Sequence, residues 1–100
     1  MRVSINGLDF NVEEDGSKTG EPLLLLHGFT GSTHSWNGVV PTLARHQRVI
    51  RVDLPGHGQT AFTPTLDRYT LANVARDVAE LLVRLYFQVR QQKPYRLINE

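Results

Sequence analysis

The stretch PLLLLHGFTGSTHSW, residues 22–36, runs four leucines into a His-Gly pair and then into a loop of small polar residues. A continuous apolar run of this length suits a strand covered on both faces, as in a parallel sheet. Residues 28–34 are rich in Gly, Ser and Thr and read as loop. Trp36, Val39, Val40, Leu43 and Ala44 then recur at helical spacing. They predict a helix over 35–45, with Pro41 as an irregularity within it.

Working outward, RVSINGLDFNVEEDG alternates apolar and polar residues around Asn6-Gly7. Asn-Gly between two such runs is the strongest short hairpin signal, so two antiparallel strands are expected at about 2–6 and 8–13. EDGSKTGE is a polar turn. RVIRVD, 48–53, is a second buried strand, and LPGHGQTAFTPT is a loop by its Pro and Gly content. Apolar residues then fall at 71, 74, 75, 78, 81, 82 and 85, an amphipathic helix with Thr70 as N-cap that can continue through Val89. PYRLIN, 94–99, is a short strand or a frayed end. The fold class is therefore α/β: an antiparallel hairpin, a βαβ parallel unit and a following helix.

The bulk numbers agree with one small soluble domain. There are 100 residues, 40% apolar and 21% charged. Eleven Lys and Arg stand against ten Asp and Glu, a net charge of +1, so no global charge points to nucleic acid or a membrane. Arg84, Arg90, Lys93 and Arg96 make the last 17 residues locally basic, which reads as a solvated face. With no cysteine, disulfides and thiol chemistry are excluded. The N-terminus lacks an apolar stretch of signal-peptide length, and Leu23–Leu26 is far short of a membrane span, so the expected location is cytoplasmic.

The pair formed by strand-His27-Gly28-Phe29, with Trp36 after it, and by Asp53-Leu54-Pro55-Gly56-His57-Gly58 after the next strand resembles the N-terminal part of the α/β-hydrolase fold superfamily. HGFTGSTHSW, GHGQT and RYT together are most similar to its menaquinone-biosynthesis branch, 2-succinyl-6-hydroxy-2,4-cyclohexadiene-1-carboxylate synthase. Esterases and C–C bond hydrolases carry near variants. The resemblance covers roughly residues 2–85.

It implies that Phe29, after His27-Gly28, gives one backbone N–H of an oxyanion hole while its ring lines the pocket. Gly28 lets the backbone turn and lets substrate approach. His27 braces the loop by hydrogen bonds, and Thr30, Ser32, Thr33 and Ser35 are loop residues within reach of a polar substrate. Asp53, Gly56 and Gly58 fix the neighbouring loop around His57. The resemblance implies a small-molecule substrate, pyruvate elimination and no external cofactor. GHGQTA also fits a dinucleotide pattern, but Pro55 before it and FTPT after it deny the helix that such a site needs.

The same resemblance places a Ser nucleophile on a G-x-S-x-G elbow after the helix that begins near 71, then an acid, then a His. No G-x-S-x-G occurs in the chain. The serines 4, 17, 32 and 35 and the histidines 27, 34, 46 and 57 offer no strained Ser beside a plausible base, and no metal-ligand spacing. The expectation is an incomplete sheet: residues 1–85 as the N-terminal part of a hydrolase domain and 86–100 as a divergent segment. The chain is then a truncated or frameshifted piece of an enzyme, inactive alone. The alternative is a non-catalytic remnant or interaction module, self-associating through an uncovered strand edge.

Overall fold

The structure, a computed structural model, describes residues 1–28, 30–89 and 96–99, with the backbone alone for 86–89 and 96–99. Asn6 and Gly7, at φ 51° and 79°, make the tight turn between β1 (Arg2–Ile5) and β2 (Leu8–Gly16). Positive φ at both central positions matches the twist of the flanking strands, and the register places Ile5 opposite Leu8. β2 extends beyond the expected residue 13 because Val12–Gly16 pair antiparallel with β4 (Gln47–Val52). β4 pairs parallel with β3 (Glu21–Leu26), Leu24 opposite Ile50.

Alternation within these strands sends side chains to two cores. Ile5, Leu8, Phe10, Val12, Leu24, Ile50 and Val52 face α2 (Leu71–Val89), which contributes Val78, Leu81 and Leu85. Leu23, Leu25 and Val49 face the opposite layer, where Val40 is buried and Trp36, Leu43 and Ala44 pack partly buried. The four-leucine run is thus covered on both faces, as read from the sequence.

The helix expected over 35–45 is not continuous. Thr33–Trp36 is a 3-10 turn, and only α1 (Val40–Leu43) is α-helical. Pro41, without an N–H and with φ fixed, sits in the first turn of α1, where no helical donor is needed. It therefore starts a new helix instead of extending the earlier turn. In α2, Thr70 caps as expected, its Oγ1 accepting from Asn73 N–H at 3.3 Å. Leu71 and Ala75 are a correction: both are exposed, Leu71 at 86%. The buried stripe runs through Val78, Leu81 and Leu85, and Asp77 is buried beside it.

Arg96–Asn99 forms β5, parallel to β3, with Leu24 opposite Leu97 and Leu26 opposite Asn99. The sheet order is β1-β2-β4-β3-β5, so β3 is an inner strand, paired on its outer side by the short strand that was one of the two readings of PYRLIN. β5 stands where the resemblance sets the elbow strand. Among the described residues no helix is long and apolar enough to cross a membrane.

Candidate functional site

β3 and β4 are parallel, so both end on the same side of the sheet and their following loops meet there. His27 is the first residue past β3 and is 2% exposed. Leu54 N–H donates to its Nε2 at 3.0 Å, so that nitrogen holds a lone pair. The ring is then the Nδ1–H tautomer, and Nδ1 donates to the Gly28 carbonyl at 2.6 Å. Its face lies 4.9 Å from the His57 ring, centroid to centroid. Both nitrogens are engaged with backbone, so His27 ties the ends of the two loops together. The sequence reading assigned it that bracing role.

Gly31 N–H returns to the Gly28 carbonyl at 3.0 Å, closing a tight turn. A Cβ on Gly28 would meet nothing within 4 Å, so that flank is open. Thr30 is exposed. Phe29 lies outside the described residues. Ser32 and Ser35 form a capping box for the 3-10 turn: Ser32 Oγ accepts from His34 N–H and Ser35 Oγ from Ser32 N–H, both at 3.1 Å. Their hydroxyls serve the turn's own backbone.

Asp53, the first residue past β4, is 1% exposed. Thr33 N–H donates to its Oδ1 at 2.6 Å. Asn11 Nδ2 at 2.9 Å and Gln59 N–H at 3.0 Å donate to Oδ2. Burial by itself raises the carboxyl's pKa; the hydrogen bonds from Gln59, Asn11 and Thr33 outweigh it and hold the group below the ordinary carboxylate range. Thr60 Oγ1 donates to the Asp53 carbonyl at 2.5 Å and accepts Asn11 N–H at 2.9 Å. A polar cleft of about 320 Å³ lies over this cluster, walled by Glu13, Arg51, Thr33 and Gln59.

Asn11, Thr60 and Arg51 were missed in the sequence. Asn11 sits on the polar phase of β2, where alternation predicts solvent, and only the fold buries it. Among the described residues no three His, Asp or Glu side chains come together as a metal site. The residues described here organise two loops, and beside them the Gly28 flank of the turn is open.

Comparison with known proteins agrees with this layout. The model of a family described as alpha/beta hydrolase fold matches residues 21–94. The chain is 43% identical over 85 residues to the dihydrolipoyllysine-residue acetyltransferase component of the acetoin cleaving system of Pseudomonas putida, covering 85% of this chain and 22% of that protein. It is 32% identical over 80 residues to a Bacillus subtilis protein assigned as 2-succinyl-6-hydroxy-2,4-cyclohexadiene-1-carboxylate synthase, covering 80% of this chain and 29% of that one. The crystal structure of epoxide hydrolase VrEH1 from Vigna radiata superposes with a TM-score of 0.78 at 31% identity, over 85% of this chain and 27% of that one. The chain spans less than a third of the length of each.

Proposed function

The chain belongs to the alpha/beta hydrolase fold family, and from that membership we propose that it supplies the oxyanion-loop portion of a hydrolase-fold active site. The observation that carries this reading is the braced end of β3, where His27 is fixed from both nitrogens and leaves the Gly28 flank open. By its place in the motif, Phe29 contributes the backbone N–H that meets developing negative charge. His27, Gly28 and Thr30 shape the turn around it. The G-x-S-x-G nucleophile is absent from these 100 residues, so the chain alone does not turn over substrate.

The activity of the whole enzyme is, in this reading, elimination of pyruvate in the manner of 2-succinyl-6-hydroxy-2,4-cyclohexadiene-1-carboxylate synthase, without an external cofactor and in the cytoplasm. The HGFTGSTHSW stretch and the Bacillus subtilis relative support it. The same hole would then stabilise an enolate-like oxygen. The near variants of the motif in esterases and C–C bond hydrolases support a second reading, hydrolysis of a small-molecule ester or C–C bond, in which the hole meets a tetrahedral oxyanion. A non-catalytic remnant that self-associates through the outer edge of β5 is the third.

The test has two parts. The purified chain is assayed with an activated ester and for pyruvate release, and no turnover above buffer is expected; turnover overturns the fragment reading. The chain is then fused in place of the matching segment of the Bacillus subtilis relative. Retained pyruvate release supports the lyase reading, and ester hydrolysis alone supports the second.

A further inference from the structure

The loop after β3 is tied down at its far end by one group. Four residues beyond the point where the oxyanion donor is proposed, Thr33 N–H ends on Asp53 Oδ1, and the loop after β4 ends on the same carboxylate through Gln59 N–H. Each tie joins a loop to the strand end of β4, and the strand end is itself pinned to β2 by Asn11 Nδ2 and by Thr60 Oγ1. The carboxylate accepts three donors and needs a proton from none of them. We infer that Asp53 is a positioning residue, whose ionised carboxylate, oriented by Asn11, sets the two active-site loops relative to one another. The inference deepens the function proposed above and rests on it for its catalytic meaning; the coupling of the loops stands on the geometry alone.

The donor count makes the claim sharp. Thr33 requires an acceptor at Oδ1, while Asn11 and Gln59 both require one at Oδ2. A carboxylate satisfies all three. An amide at position 53 offers one oxygen and one NH2, so it must set N–H against N–H on one side or the other. Asp53→Asn is nearly isosteric and yet is not conservative here. Gly58 seals the arrangement: at φ 50° it lies so close that a Cβ would collide with the Asp53 carboxylate.

Amide hydrogen exchange of the 100-residue chain, followed residue by residue by NMR, tests it. D53N is expected to speed exchange of Thr33 by about tenfold or more, because the one amide oxygen stays with its two donors Asn11 and Gln59, while Leu24 and Ile50 in the central strands keep their protection. In the swapped pair N11D/D53N the amide oxygen at 53 can face Thr33 while its NH2 donates to the carboxylate at 11. Protection of Thr33 then returns and that of Gln59 is lost. Equal acceleration at loops and central strands would mean that Asp53 only stabilises the fold, and the inference falls. Unchanged Thr33 would overturn it as well. If D53N does not fold, N11A carries the test, with selective acceleration at Thr33 and Gln59 as the supporting result and none as the refuting one. None of these readouts uses catalysis, so an inactive fusion enzyme with the expected exchange pattern refutes the functional reading and leaves this one.

Discussion

At the scale of single residues, the behaviour of Asp53 with pH follows from its partners. Its carboxyl titrates lower in the folded chain than in the unfolded one. Between the two values the unfolded chain binds more protons, so the stability this group contributes is present above the unfolded value of about pH 4 and is lost as pH falls through the folded value. Urea midpoints of the wild type and D53N should therefore differ most near pH 6, begin to approach one another below about pH 4, and meet only below the folded value. A second residue-scale expectation concerns Gly58. G58A introduces a Cβ at a left-handed backbone position and against a buried carboxylate. It should cost roughly 2–4 kcal/mol, read as a fall in urea midpoint with an unchanged slope.

At the scale of elements, β4 carries two arginines in a strand that the sequence marks as buried. Arg48 is 1% exposed and holds Glu14 at 2.6 Å, and Arg51 holds Asp15 at 2.9 Å. Arg48 Nε and Nη1 are buried without a hydrogen-bond partner. Glu14→Ala leaves that guanidinium uncompensated and should destabilise by about 3–5 kcal/mol, whereas replacing both, as R48M/E14L, should be near neutral or stabilising. A double-mutant cycle by chemical denaturation checks both statements. On the other sheet partner, L81A should cost about 2–5 kcal/mol, because Leu81 is fully buried between α2 and the sheet.

These same elements show what could be read in advance. The hairpin was legible because Asn6-Gly7 names its own turn, and β3 and α2 because their apolar periods are unambiguous. The segment 33–45 was not, because Trp36, Val40 and Leu43 keep a helical period across a break that Pro41 makes. Leu71 fits the stripe of α2 in phase but lies beyond the reach of the sheet, and phase alone carries no information on where a neighbour ends. Asn11 and Thr60 gave no local signal, since their burial depends on β2, β4 and the 54–60 loop meeting in space.

At the scale of the whole molecule, two layers of unequal size cover one five-stranded sheet. The hairpin is latched to α2 by a buried carboxylate: Asn6 Nδ2 and Arg68 Nε both donate to Asp77, at 2.8 and 3.0 Å, and Arg68 Nη2 reaches the Ile5 carbonyl at 3.1 Å. The opposite side of the sheet depends on β5, which covers β3 with backbone pairing from Arg96 to Asn99. Removing residues 96–99 strips β3 of that partner and leaves an apolar strand edge as a template for pairing. The shortened chain is expected to form higher oligomers by light scattering at concentrations where the full one does not. Equal behaviour of the two would show that β5 does not protect the sheet.

The strand order also sets a clock. Chain order and spatial order disagree on one side of the sheet: β3 leaves the ribosome early, and β5, the strand that lies against it, follows only after β4 and the whole of α2. Synthesis at about 5–20 residues per second gives the interval a length of seconds, far longer than the microseconds in which a hairpin such as β1–β2 forms. For those seconds the most apolar strand of the chain has a filled side and a waiting side. Until β5 emerges, Leu23–Leu26 offers an unpaired apolar side, and a holding chaperone would find its target there during that window.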